Sequence, residues 1–371
     1  MSQAMTIDSG SPQVGEAQIE LLRNLCNARA VSGDERQVRK IVLEQVKPYL
    51  NQGDDPIKVD ALGNVLITRR GQGQNLLRVM VAAHMDEVGF MLSNDEGDGI
   101  FRFEVVGGID VRQLPGKSVL IGGEAVPGVI GSKPIHLTGS EELKRTISLD
   151  SLRIDVGPDH GSKVKLGDRA TFATQFSQLG PSIRAKSLDD RLGVASLIEL
   201  VKHAPANIDL LAAFTVQEEI GLRGAQVAAY TLDPQVAIVL DCTPANDLPV
   251  VELEPDGQNE NARYNTRLGH GPAVYLSDRA TISDPRLVRH LVRTAEQAGI
   301  PFQFRQPGGG GTDAGAIHKQ RAGIPSVSVS VPGRYLHTAA SLARLSDWEN
   351  ALALIFNALL ELSPEILAVE R

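Results

Sequence analysis

The stretch "LLRVMVAAHMDEVGF", residues 76–90, decides how this chain is read. Its first half is almost continuously apolar, as a strand buried on both faces of a sheet must be. Its second half brings a histidine and two acids to the strand's end. Alternate side chains on a strand share a face, so His84 and Asp86 point one way and Met85 the other. A carboxylate beside an imidazole suits a metal ligand, because the acid holds the far ring N–H and fixes the tautomer. A strand that merely surfaces into water gives the same letters. The reading therefore turns on whether matching residues recur.

They do. "KSLDDRLG" places Asp189 and Asp190 at the start of an expected helix, where acids also serve as ordinary caps. "FTVQEEIG" ends an apolar strand with Glu218 and Glu219; consecutive strand residues diverge, so both reach one cleft only if the chain turns, as Gly221 suggests. "AIVLDCTP" carries Asp241, and "VSVPGRYLHT" carries His337 ahead of the last helix. Four expected strand ends, after residues 83, 217, 240 and 331, thus each lead to a histidine or an acid. Ligands in α/β sheets gather outside such carboxyl ends.

If His84, Asp189, Glu219, Asp241 and His337 meet, one carboxylate shared between two ions gives each ion three protein groups. That is a two-metal hydrolytic site, with the ions about 3.5–4 Å apart. Imidazole and carboxylate without thiolate favour Zn or Co, with Mn as a further candidate. Glu218, beside Glu219, is then the natural general base, passing a proton from water to a leaving amine. No nucleophilic Ser or Cys motif is required.

The rest of the chain supplies the frame. "AQIELLRNLCNAR" is helical in period, and "SGDERQVRKIVLEQVKPYL" opens with Ser32 and Glu35 at capping-box spacing. From about 93 to 178 short β-like runs are broken by Gly and Pro, which suits a small all-β barrel or sandwich. After Asp189 strands alternate with helices, and a long closing helix is expected from about Ser341 to Leu362. The expected architecture is an α/β domain with a sheet covered on both faces. Its parts are residues 1–92 and 179–371, interrupted by a β insertion over 93–178.

Composition sets outer bounds. The 371 residues are 42% hydrophobic and 22% charged, enough for two domains. A net charge of -8 argues against a nucleic-acid or membrane-surface binder. The two cysteines, Cys26 and Cys242, lie in apolar surroundings, so a reducing cytoplasm is expected. The polar start "MSQAMTIDSGSPQVGEAQ" lacks a signal-type apolar core, and no run reaches membrane-spanning length.

These residues, in this order, resemble the M42 family of metallo-aminopeptidases. "AAHMDEVGF", "KSLDDRLG", "VQEEIGLRGA", "IVLDCTPA", "GGGTDAGAIH" and "IPSVSVSVPGRYLH" are similar to family signatures, as are "GGIDVRQLPGKSV" and "PGVIGSKPIHL". The resemblance runs from about residue 20 to near the end. It implies a three-layer, mixed-sheet metallopeptidase domain with an inserted barrel-like dimerisation domain. It implies that His84 and Asp241 hold one divalent metal ion, that Glu219 and His337 hold another, and that Asp189 bridges them. Asp86 would orient His84, and Glu218 would be the base. The expected activity is removal of N-terminal residues from short peptides, inside a dodecamer assembled from dimers. Departures are Ser187 where alanine is common, "GGGG" at 308–311, and a longer N-terminal tail.

Other readings fare less well. A glycosidase using Glu218 and Glu219 needs carboxylates about 5–9.5 Å apart across a sugar bond, and leaves both histidines unexplained. A dimetal carboxypeptidase or amide deacylase shares the ligand order, so terminus choice stays open on residue chemistry alone. A non-catalytic scaffold would not need an intact ligand set with its base. "QPGGGGTDAG" lacks the Lys-Ser/Thr of a phosphate loop. Thr312 is expected to cap a short helix, with Asp313 in its first turn or lining the pocket. His136, His160, His203, His270, His290 and His318 are read as structural.

Overall fold

The computed structural model describes residues 11–371 apart from 52, 54, 142, 249–265 and 306–308. The N-terminal tail up to residue 10 and Gly308 lie outside the described residues. Helices α1 (Glu16–Asn27) and α2 (Arg36–Val46) precede strands β1 (Ile57–Val59), β2 (Val65–Arg69) and β3 (Leu77–His84). The next six strands are β4 (Gly89–Asp95), β5 (Ile100–Val106), β6 (Ser118–Ile121), β7 (Val126–Gly131), β8 (Arg153–Asp155) and β9 (Arg169–Phe172). They close on themselves in the order β4-β5-β8-β7-β6-β9. Phe90 fills this barrel, meeting Phe103 and Phe172 edge-on with ring centroids 5.2 and 5.3 Å away.

The chain then returns through β10 (Ser177–Leu179) and β11 (Ser182–Ala185) to α3 (Leu188–Lys202). Strand β12 (Ile208–Thr215), helix α4 (Arg223–Leu232), β13 (Val236–Pro244) and β14 (Ala273–Tyr275) follow. Last come α5 (Pro285–Ala298), β15 (Gln303–Arg305), α6 (Ala314–Ile317), β16 (Ser326–Arg334), β17 (Ser341–Arg344) and α7 (Leu345–Glu361). The main sheet runs β1-β2-β12-β3-β13-β16-β17-β11-β10, with β14 beside β16 and β15 beside β14. Strands β12, β3, β13 and β16 are parallel neighbours, while its flanks are antiparallel.

Period-two alternation explains the layering. Leu77, Val79, Val81 and Ala83 of β3 join a core with α1, α2, α3, α5 and α7, while Met80 and Ala82 face the core beneath α4 and α6. Both faces are covered, so the strands are apolar throughout. Helix α5 buries Leu287, His290, Leu291, Thr294 and Ala295, the single stripe of an amphipathic helix. The fold is a three-layer mixed α/β domain carrying a small closed barrel.

Several expectations are corrected. Ser32 does not cap α2: Glu35 is the N-cap, its carboxylate accepts the Gly33 amide, and the Ser32 hydroxyl donates to Asp86 instead. The closing helix does not begin at Ser341. "SLAR" pairs as a strand with both β11 and β16, and the helix starts at Leu345. Strand β12 stops at Thr215, two residues early, because Gln217 turns the chain with a φ of 56°. Strand β13 instead runs on to Pro244, so Asp241 projects from within it, and His337 lies three residues beyond β16. Phe90 already fills the barrel, so the β unit begins ahead of the texture change near Ser93.

Candidate functional site

The parallel strands β3, β12, β13 and β16 deliver their carboxyl ends to one cavity of about 890 Å³. His84, Asp189, Glu218, Glu219, Asp241 and His337 all line it. At its centre stands Asp189. One carboxylate oxygen is 3.2 Å from His84 Nε2 and the other 3.4 Å from His337 Nε2. Asp241 Oδ1 lies 3.8 Å from His84 Nε2, and Glu219 Oε1 lies 3.4 Å from His337 Nε2. Five residues spread over more than 250 positions thus form two flanks about one shared acid.

Each imidazole is aimed by a main-chain oxygen. His84 Nδ1 is 3.2 Å from the Asp86 carbonyl and 3.5 Å from that residue's carboxylate. His337 Nδ1 donates to the carbonyl of Gly108, in the barrel, at 2.8 Å. Both Nε2 atoms are thereby turned toward the cavity, in the tautomer a ligand needs. Gln113 Nε2, also from the barrel unit, donates to the His337 carbonyl at 3.1 Å. His337 itself sits at a φ of 59°, and these two barrel contacts hold it in that unfavourable region.

Asp86 does more than face His84. Its carboxylate accepts the amides of Glu218 at 3.0 Å and Glu219 at 3.2 Å, and the Ser32 hydroxyl at 2.6 Å. These bonds fix the turn that brings two consecutive glutamates into one cleft. Beneath it, Glu87 forms a buried ion pair with Lys186 at 2.7 Å and accepts the Ala30 amide. Arg191 is also fully buried, bracing the Met85 and Asp86 carbonyls.

Asp189 and Asp190, joined by a cis peptide bond, divide the two roles open to them. Asp189 enters the cluster. Asp190 is buried, accepts the Gly193 amide at 3.0 Å, and serves the start of α3. Sequence reasoning gave Asp313 less weight than it merits. It precedes α6, is buried, and accepts the Thr215 hydroxyl at 2.5 Å beneath the cluster, while its Oδ1 has no partner. Thr215 went unnoticed. The only sequence signal was its place at the end of an apolar strand, one that Asp241 shares.

The donor set fits divalent cations. Burial, and then the like charge of neighbouring acids, pushes the Glu219 carboxyl up to about 8 and that of Asp241 to about 6. Burial likewise lifts Glu218 well above the carboxylate range. Burial alone would lower His337, but Asp189 and Glu219 carry it up to about 10. The cavity sets the carboxyls of Asp189, Glu218, Glu219 and Asp241 against two imidazoles, a crowding of acids that bound cations would relieve. Ligand atoms of His84, Asp189 and Glu219 lie within 4.8 Å of one another. Cys242 is no thiolate: burial raises it, and its Sγ donates to the Leu188 carbonyl at 3.3 Å. His84, Asp189 and Glu219 offer nitrogen and oxygen donors only.

A family model described as M42 glutamyl aminopeptidase matches residues 63–354. The chain is 31% identical over 357 residues to the lysyl aminopeptidase of Pyrococcus furiosus, a match spanning 93% of this chain and 97% of that protein. Among solved structures, it superimposes on a TET aminopeptidase from a Thaumarchaeota archaeon with a TM-score of 0.87 at 34% identity, over 95% of this chain and 99% of that one. It also matches the TET1 peptidase of Pyrococcus horikoshii, which can assemble into a tetrahedron or a large octahedral shell. There the TM-score is 0.78 at 33% identity, covering 93% of this chain and all of that one, 100%.

Proposed function

The chain belongs to the M42 glutamyl aminopeptidase family, a family of peptide hydrolases, and from that premise we propose that it removes N-terminal residues from short peptides with two divalent cations. His84 and Asp241 would hold one, Glu219 and His337 the other, and Asp189 would bridge them. The observation that carries this reading is Asp189, whose two oxygens each face a histidine Nε2 across the cavity. When bound, the cations supply Lewis acidity and a readily ionised water. Zn and Co suit the imidazole and carboxylate donors best, with Mn next.

The chain's own residues supply positioning and proton transfer. Asp86 fixes the amides of Glu218 and Glu219, so the turn cannot relax away from the cleft. Glu218 takes a proton from the attacking water and delivers it to the leaving amine. The acids of the cluster attract a peptide's free ammonium group, which favours an aminopeptidase over a carboxypeptidase or deacylase. The barrel would mediate dimerisation, and dimers would build a dodecamer of the kind its TET relatives form. Among the described residues no helix is long and apolar enough to cross a membrane, and both cysteines are buried free thiols, which supports a cytoplasmic setting.

Paired peptides with a free or an acetylated N-terminus test the assignment, before chelation, after it, and after Zn or Co reloading. Metal-restored cleavage confined to the free peptide is expected. Equal cleavage of both, or full turnover by metal-stripped protein, refutes it.

A further inference from the structure

We propose that the cleft between helix α2 and the barrel is an effector site for a small phosphate-bearing anion, received by Arg29, Lys40 and Arg169. The cleft shares no lining residue with the cavity of the acid cluster, and a ligand there goes beyond the aminopeptidase reading.

A chain of net charge -8 gathers cations here. The cleft is about 340 Å³ in volume, and its ionised lining is Arg29, Arg36, Lys40 and Arg169 against Asp34. Asp34 is taken by Arg36, whose Nε lies 2.6 Å from its carboxylate. Lys40 reaches Glu44 at 3.8 Å, an exposed pair that water weakens. Neither Arg29 nor Arg169 has an ion-pair partner among the described residues; both donate to carbonyls instead. Arg29 Nη2 donates to Gly123 at 2.9 Å, while Arg169 gives Nε to Ser32 at 3.2 Å and Nη1 to Gly167 at 2.9 Å. An adjoining cleft of about 620 Å³ carries Glu35, Asp60 and Asp168 beside Arg39 and Lys165, so the excess of positive charge belongs to the first.

Local structure sets these groups toward one another. Arg36 and Lys40 are four residues apart on α2 and share a face, while Val38, Val42 and Val46 are buried on the other. On β9, Ala170 and Phe172 enter the barrel core, so Arg169 and Thr171 stand on its outer face, toward the cleft. Gln37 fixes Arg29 by accepting its main-chain amide at 3.0 Å. Thr171 lines the same cleft and is only 1% exposed, yet its hydroxyl has no hydrogen-bond partner among the described residues. A buried hydroxyl left unpaired costs stability, and a ligand oxygen in this cleft is the acceptor it lacks. Guanidinium forks match the oxygens of phosphate, and a cleft walled by one sign of charge concentrates its counter-ion. Val31 and Leu120 add apolar wall for a carbon skeleton.

Arg169 joins this cleft to the turn that carries Glu218 and Glu219. Its Nε donates to the Ser32 carbonyl, and the Ser32 hydroxyl donates to Asp86 at 2.6 Å. Asp86 in turn holds the amides of both glutamates. An anion that fixes Arg169 steadies Ser32 and, through Asp86, that turn. Occupancy should therefore raise turnover.

The test titrates metal-loaded protein, freed of excess metal, with inorganic phosphate and with glycerol 2-phosphate in a calorimeter at constant ionic strength. Sodium chloride replaces the anion in the control. An Arg29→Gln, Lys40→Gln double variant is compared, together with Lys40→Glu alone, whose exposed position spares the fold. The unmodified protein should bind with a Kd of about 1 mM or tighter, as a few partly exposed ion pairs provide. Both variants should bind at least about tenfold more weakly. Tighter binding of the ester assigns the site to a phosphorylated organic molecule, and tighter binding of the free ion assigns it to inorganic phosphate. No heat above the control with either anion overturns the site. So does equal affinity in the variants, the result expected if phosphate sits on the catalytic cations. With saturating anion, kcat for an alanyl p-nitroanilide should rise about twofold or more over its anion-free value, relative to the same ratio in the double variant. Binding with an unmoved ratio overturns the effector role. If no reporter is cleaved at any anion concentration, the aminopeptidase reading falls, and calorimetry judges the site by itself.

Discussion

The carboxylate of Asp86 accepts the main-chain amide of Glu218 at 3.0 Å, so the residue two places after the first proposed histidine ligand also sets the position of the proposed base. One acid ties together two strand ends that lie more than 130 residues apart. It also holds the Glu219 amide and the Ser32 hydroxyl. Asp86→Ala should leave three buried donors without their acceptor. We expect a loss of about 2–4 kcal/mol in stability and at least a hundredfold in kcat. Ser32→Ala, which removes only one donor, should cost about 1 kcal/mol and leave kcat within severalfold. Thermal unfolding and steady-state kinetics separate the two variants, and equal effects would refute the argument.

Asp189 is expected to govern both cations together. Asp189→Ala should drop metal content from two ions per subunit toward none, whereas His337→Ala should retain about one. Elemental analysis after gel filtration reads this directly. Retention of both ions by the Asp189 variant would show that it does not bridge.

The barrel unit reaches the proposed catalytic cluster through the Gln113 side chain, whose amide donates to the His337 carbonyl. Gln113→Ala should therefore lower kcat/KM about three- to tenfold while costing under about 1 kcal/mol in stability. A large loss of stability with unchanged kinetics would instead mean that Gln113 serves only the fold.

Lys186 and Glu87 form a buried pair beneath the turn after β3. Lys186→Met leaves the buried Glu87 carboxylate with only Arg191, at 3.6 Å, as its cation and should destabilise by about 2–4 kcal/mol. Adding Glu87→Gln should recover much of that loss. Denaturant unfolding of the single and double variants checks it, and additive losses would contradict it.

His290 carries a pH signature away from the metal cluster. Burial holds its imidazole below the ordinary value of 6.5, with Nε2 donating to the Ala358 carbonyl at 2.8 Å. As pH falls below 6.5, the unfolded chain takes up a proton that the folded chain still refuses. Stability should therefore decline with acidification in that window, and the contribution should vanish above it. His290→Gln keeps a donor to Ala358 and removes the titration. Its Tm should fall less between pH 7.5 and 5.5 than that of the unmodified protein; parallel curves would contradict this.

Much of this architecture was legible because it follows from periodicity. The apolar run Leu77–Ala83 can only be a strand with both faces covered, and the Gly- and Pro-broken texture after Ser93 can only sustain short strands. The site was legible where strand ends and chemistry coincide, as at His84. It was less so where position depends on contacts distant in sequence. Ser32 has the spacing of a cap, yet it is claimed by Asp86, fifty-four residues away. "SLAR" continues a helical pattern, yet two waiting strand edges pair with it first. Asp313 looks like a residue placed for a helix dipole, and only the packing of α6 on the sheet reveals its pairing with Thr215. Arg279 and Lys319, which also line the cavity, stood in no pattern at all, because a cavity wall is assembled from loops whose juxtaposition no local spacing encodes.

The oxygen that aims the second imidazole belongs to Gly108, just after β5 of the inserted unit rather than in the domain that carries the other cavity residues. The orientation of that imidazole is therefore a joint product of two structural units, so a change that loosens the insertion reaches the cavity without touching any residue that lines it.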